Sequence, residues 1–390
     1  MQVQQQPVVR LAATLLSTSL LGRLPQAMSA LALVRVVLDE GGGYAFAGAL
    51  TSGYVVASTV GTPVLGRLID RTGRSRAVLL GSAAASTAAL LGLALLVRSA
   101  PLAAFACALV AGFGFPPLEP TLRSLWPRIV APGRRLARAF SADAAAQEVL
   151  FILGPLIAAL AAATLGGTGA VLVMAVAGMV GTALFCAHRL LHDRREAASG
   201  AQHPSALRIR AVRTLVVAQV AAGLPIGVLT ISAARLATLG GEPALNGWAL
   251  AINAGGALTG ALLVARFPLA LPPQRALRLL LGTLAALYLP TVALAAPPAL
   301  WLVLAYLAGL ALPPLLTQVF AITAAATPDS TLTEANGWVL SAFSVGIGAG
   351  TALAGVLTGA AGTAGTIGAV VGASVLAALA GLVASPPRLA

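Results

Sequence analysis

Long apolar runs recur along this chain, and each is broken by a few turn residues or by a charged patch. A helix needs about twenty apolar residues to cross the hydrocarbon core of a bilayer, whereas open strands cannot cross because their backbone groups would go unpaired. Twelve runs meet that length: 11–37, 45–66, 77–97, 102–123, 140–164, 170–190, 212–238, 246–266, 277–296, 299–323, 335–359 and 366–385. The pattern predicts an all-α membrane protein with twelve transmembrane helices.

The connections alternate in character. One set is short and built from turn residues, "DEGGGY", "RSAP", "LGGTG", "LGGEP", "APP" and "AAGTAGT". The other carries the cations, so that about twenty of the 24 arginines fall on one side and only Arg35, Arg98 and Arg235 on the other. Positive loops stay in the cytoplasm, which predicts a multi-pass inner (plasma) membrane protein with both termini cytoplasmic. The first run superficially looks like a signal peptide, but it is too long and is interrupted by Arg23, so it reads as a retained span.

Composition narrows the chemistry. The chain is 58% hydrophobic and 9% charged, with mean hydropathy +0.93, against roughly a quarter charged residues in soluble proteins. A net charge of +13 would suit a nucleic-acid binder, but here the arginines punctuate apolar runs instead of gathering on a soluble face, so no nucleic acid is expected. All 24 basic residues are arginine. Without lysine there is no Walker-A loop and no Schiff base, which excludes P-loop ATP hydrolysis. Cys107 and Cys186 lie inside apolar runs and suggest no disulfide. His188 and His192 have the i, i+4 spacing of a metal pair, but no further ligands complete a site with them or with His203, and neither metal nor cofactor is expected.

The longest polar stretch falls at the midpoint. It divides the chain into a six-helix bundle at 1–190, a cytoplasmic linker at 191–211 and a second bundle at 212–390. "AGFGFPPL" at Ala111–Leu118 returns as "AGLALPPL" at Ala308–Leu315, and Arg23–Arg35 is echoed by Gly223–Arg235. Both echoes lie about 200 residues apart, which suggests a parallel duplication.

"GRLIDRTGRSR", between the second and third spans, is the most charged stretch of the chain. Its Gly66, Asp70, Arg71, Gly73, Arg74 and Arg76 resemble the G-x-x-x-D-R-x-G-R-x-R signature of the major facilitator superfamily. The resemblance covers essentially the whole chain and implies a secondary transporter, not an enzyme. It further implies that Asp70 meets the amino-terminal end of the eleventh span, within "PDSTLTEANGW", and helps to latch the cytoplasmic side. The contrast of Arg128, Arg134, Arg135 and Arg138 after the fourth span with Asp329 and Glu334 after the tenth is consistent with such a latch. In the second half "GALLVARFPLA" keeps Gly260 and Arg266 but no acid.

Arg23 sits within the first span, where a lone arginine costs roughly 2.5–3.5 kcal/mol. Glu119 and Glu148 are its candidate partners. Either acid could exchange a proton with a cavity. Alternatively, Arg23 and Glu148 form a fixed pair while Arg123 holds Glu119. Gln26, Gln147, Gln219, Asn253 and Gln318 are candidate substrate contacts, though amides also simply bond across helices. Pro25, Pro116, Pro117, Pro155, Pro225, Pro313 and Pro314 would bend their spans. Gly154-Pro155 resembles the core of the fifth-helix motif of proton-coupled drug antiporters, with Leu150 at its first position. The arginine that many proton-coupled members carry before Gly112-Phe113-Gly114 is Ala108 here.

The sequence therefore predicts a monomeric alternating-access transporter for a small organic solute, with proton-coupled efflux as the leading mode. Proton-coupled or facilitated uptake is the alternative, and a non-transporting receptor or scaffold the second.

Overall fold

The computed structural model describes residues 5–191, 205–242, 244–267 and 271–383. Among them there are helices and no strands: α1 Gln5–Asp39, α2 Tyr44–Thr72, α3 Ser75–Leu96, α4 Pro101–Phe113, α5 Leu118–Ile129, α6 Arg134–Cys186, α7 Arg210–Gly240, α8 Ala244–Arg266, α9 Pro273–Tyr288, α10 Pro298–Gly309, α11 Leu312–Ala326 and α12 Leu332–Val383. Nine described segments are long and apolar enough to cross a membrane. α2 falls outside that set, yet Val56, Val60, Val64 and Leu68 are exposed at every fourth residue along it, a stripe that only lipid tails would solvate well.

Two of the nine segments are double. α6 has 53 residues and would run about 80 Å if straight, more than twice the thickness of a bilayer core. It folds back at Gly166 (φ 74°, ψ 176°), and α12 breaks likewise at Gly362 (φ 56°, ψ −131°), both in backbone conformations that glycine adopts without strain. Each turn is held by an arginine at the end of a preceding helix. Arg35 pairs with Asp39 at 2.9 Å, and the other oxygen of Asp39 accepts from the Gly167 amide at 2.7 Å. Arg235 donates to the Thr363 hydroxyl at 3.1 and 3.3 Å.

The prolines act differently from uniform bends. Pro25, Pro63, Pro155 and Pro225 sit inside continuous helices. Pro116-Pro117 instead ends the fourth span's first piece, so that 102–123 is not one helix, and Pro313-Pro314 opens α11, dividing the tenth span. Proline tolerates the first helical turn because its missing amide would be unpaired there anyway.

The chain divides into two compact units. The first comprises Met1–Ile129, Val149–Ser205 and Pro328–Gly337; the second comprises Val130–Glu148, Ala206–Thr327 and Trp338–Ala390. Within the first, α2 and α4 cross backbone to backbone: a Cβ on Gly61 would collide with the Phe113 carbonyl, and one on Gly112 with the Tyr54 carbonyl. In the second, Gly260 meets Leu310 and Gly309 meets Asn253 in the same way, where α8 crosses α10. In lipid, close packing of this kind replaces the hydrophobic drive between helices. The four contacts repeat at 197–199 residues, so the duplication read from the sequence is present in the packing. They also correct one register. Gly260 corresponds to Gly61 and not to Gly66, which puts Ala265 and Arg266 opposite Gly66 and Arg67.

Gly61→Ala and Gly309→Ala should each destabilise the protein by about 1–3 kcal/mol, because the obstructing atoms are backbone. Gly48→Ala, in open space on α2, is the neutral control. Melting temperatures in one detergent check this; equal values for all three would refute it.

Candidate functional site

The charged stretch at the end of α2 is ordered by its glycines and its acid. Gly73 caps α2 in the left-handed conformation (φ 63°), and its amide donates to the Ile69 carbonyl at 2.9 Å. The chain then turns straight into α3, leaving Arg71, Arg74 and Arg76 at the surface. Asp70 is buried, 7% exposed. One of its oxygens accepts from the backbone N–H of Glu334, third residue of α12, at 2.7 Å. The first amides of a helix have no partner within it, and they attract negative charge. Asp70 thus caps α12 from another helix, and the preceding Thr331 hydroxyl bonds back to Pro328.

Pro63, Gly66 and Asp70 lie along one face of α2 and meet Gly337, Thr333 and Glu334 in turn. A Cβ on Gly66 would come within 3.0 Å of the Thr333 carbonyl, and one on Gly337 within 2.8 Å of the Pro63 Cα. The Thr333 hydroxyl donates to Ser124 at 3.3 Å, and Arg128 bonds Asp329 at 2.8 Å. The Glu334 carboxylate, 2% exposed, accepts from the Ser205 hydroxyl at 2.8 Å and faces the Arg67 Nε at 4.0 Å. Pro328–Gly337 is therefore embedded in the first unit by capping, side-chain bonds and close backbone approach. The second unit has a related feature: Arg138 Nε donates to the Ala265 carbonyl at 3.3 Å, in the last turn of α8. A guanidinium at a helix's negative end complements a carboxylate at another's positive end.

The second cluster surrounds Arg23, which is fully buried. Its Nη2 lies 3.1 Å from one oxygen of Glu119, and the Nη2 of Arg123 lies 2.7 Å from the other. One carboxylate thus bridges two arginines. This corrects the alternative in which Arg23 pairs with Glu148 and Arg123 alone holds Glu119. A carboxylate shared by two guanidinium groups makes charge-assisted bonds to both and is fixed in place between α1 and α5.

The remaining candidates are dispersed. Glu148, on the first limb of α6, is half-buried and has no hydrogen-bond or ion-pair partner among the described residues. Gln147 is buried with its carbonyl oxygen unbonded, and Gln219, on α7, is fully buried with neither amide atom bonded. Asn253 donates to the Ala305 carbonyl at 2.8 Å across the α8–α10 crossing, which ties it to packing. Gln26 and Gln318 are half-buried. Two participants carried no signal that sequence alone could supply. Tyr288 is buried on α9 beside Asn253 and in electrostatic range of Glu148, while Ser205 bonds Glu334. Among the described residues no three His, Cys, Asp or Glu side chains converge as a metal site would need; His192 and His203 lie outside those residues.

Apolar helices that double back across a bilayer, repeat in two halves and bury charge at mid-span define a polytopic membrane protein of transporter architecture. The sequence profile of the Major Facilitator Superfamily matches residues 15–237, more than half of the chain, and the protein belongs to that family. Its fold resembles the human organic anion transporter MFSD10 (TETRAN), with TM-score 0.75 and 16% identity over 97% of this chain and 100% of that one. It also resembles the Escherichia coli fucose:proton symporter FucP (0.74, 13%, over 97% and 99%) and a bacterial homologue of the iron transporter ferroportin in its outward-facing state (0.72, 15%, over 95% and 98%). At these identities the likeness shows the fold alone. No curated protein matches the sequence. The family and fold are those of transporters, not enzymes.

Glu119→Gln would leave Arg23 and Arg123 without their shared carboxylate, a loss of about 3–5 kcal/mol by analogy with broken buried pairs. The variant should show a lower melting temperature and a poor folded yield. Wild-type stability would show that the bridge carries no weight.

Proposed function

We propose that this protein is a proton-coupled efflux transporter for a small, partly apolar organic solute, acting as a monomer in the inner membrane with both termini in the cytoplasm. Residues 1–190 and 212–390 form its transporting halves and 191–211 joins them. The observation that carries the proton coupling is the contrast between two acids. Glu119 is neutralised by two arginines, whereas Glu148 has no partner of opposite charge among the described residues. Glu148 lies eight residues into the span that begins at 140, about 12 Å along the helix, which is inside a bilayer core about 30 Å thick. An acid at that depth with no fixed counter-charge is suited to taking up and releasing a proton during a cycle. Gln26, Gln147, Gln219 and Gln318 are neutral and would grip an uncharged or weakly charged solute.

Alternating access then needs a latch that closes and opens for a few kcal/mol. The contacts holding Pro328–Gly337 in the first unit have that character: one trans cap, exposed Arg128–Asp329, and a few hydroxyl bonds, each contributing about 0–3 kcal/mol. Gly66, Asp70 and Gly73 shape this latch, and Arg71, Arg74 and Arg76 face the cytoplasm beside it.

In everted vesicles, Glu148→Gln should abolish transport of an uncharged amphipathic dye such as Nile red driven by a pH gradient, with insertion and melting temperature unchanged. Glu148→Asp should retain part of it. Full gradient-driven transport by Glu148→Gln would remove Glu148 from the coupling path.

A further inference from the structure

Glu334 is held through both its backbone and its side chain. Its amide donates to Asp70, and its carboxylate, almost wholly buried, accepts from Ser205 at 2.8 Å and faces Arg67 at 4.0 Å. Ser205 is not part of any transmembrane helix. It immediately precedes the short 3-10 turn Ala206–Arg208 that leads into α7, and the chain passes from the first compact unit to the second between Ser205 and Ala206. A carboxylate taken out of water must have its acceptor sites filled, and a missing donor costs the desolvation of the orphaned oxygen. The hydroxyl that supplies one oxygen of Glu334 therefore comes from the end of the central connection.

We infer that Ser205 is a positioning residue of the latch: it fixes Glu334 in the orientation that presents its amide to Asp70, and so makes the end of the central linker a part of the gate. Two consequences are physical. Release of Pro328–Gly337 from the first unit must break or carry along the Ser205 bond. Displacement of the α7 end of the linker is transmitted to Glu334 without any change at Asp70. The linker then sets the latch's closed fraction as well as connecting the two halves.

The inference rests on the latch proposed above, and the test separates the two. In protein carrying Cys107→Ala and Cys186→Ala, a single reporter cysteine replaces Thr331, which is 3% exposed within the embedded segment. The protein is reconstituted in lipid nanodiscs, and labelling by a water-soluble maleimide reads the released fraction. Asp70→Ala and Ser205→Ala should each speed labelling by roughly ten- to a hundredfold, the ratio that a hydrogen bond to a charged group supports. Ser205→Thr, which keeps the hydroxyl, should label at the parent rate. On a Glu334→Gln background, Ser205→Ala should add little, since its action runs through that carboxylate. If Asp70→Ala speeds labelling and Ser205→Ala does not, the linker has no part in the latch and the inference fails alone. If Ser205→Ala acts equally with and without Glu334→Gln, it works by another route and the inference fails. If neither single variant changes the rate, the latch itself is wrong and the inference falls with it.

Discussion

Backbone groups left over at helix ends are the constraint on which the rest of this structure depends. A helix in lipid pairs its own interior amides and carbonyls, but its first amides and last carbonyls have no internal partner, and hydrocarbon offers none. Here the leftover groups are served by charged side chains from elsewhere in the same unit. Asp70 serves the amide of Glu334, Asp39 the amide of Gly167, and Arg138 the carbonyl of Ala265. In each case the sign of the side chain opposes the sign of the helix end it meets. Such bonds are individually modest, and they sit where helices begin or end, which is where a transporter can separate its parts without unravelling them.

The same economy governs the charges inside the spans. Arg23 and Arg123 are tolerated because Glu119 offers each of them one oxygen. That arrangement solves a folding problem. The polar atoms of Gln219 and Gln147 that have no bonded partner have not been solved in this way, nor has Glu148. Groups that a membrane protein leaves unsettled are costly, and these are the ones we propose for exchange of solute and protons.

Helix proximity is set by a third device. The crossings of α2 with α4 and of α8 with α10 place carbonyls where a side chain would otherwise stand, with Gly61 and Gly112 in one half and Gly260 and Gly309 in the other. Because the four contacts recur at nearly constant spacing, the two halves inherited a packing scheme even where their loop chemistry diverged. The trans cap of the first unit uses a carboxylate, while the related point of the second uses an arginine on a carbonyl. Where "GALLVARFPLA" lacks the acid, the bond runs the other way, from a guanidinium to the closing carbonyl of α8.

Hydropathy and arginine placement alone determined that the chain is a bundle of membrane helices, because span length and charge asymmetry are one-dimensional properties set by the bilayer. The stretch Gly66–Arg76 was legible as resembling a family signature, and only that resemblance implied that Asp70 is aimed at the start of a distant helix. What remained for the tertiary structure was pairing. Arg23 had two acids within reach along the sequence, and only the approach of α1 to α5 decided for Glu119. Ser205 and Tyr288 had no distinguishing pattern at all, because a lone hydroxyl gains meaning only from the buried group it faces. Sequence fixes which residues are expensive to bury; three-dimensional packing chooses the partner that makes burial tolerable, because that choice depends on distances between segments far apart in the chain.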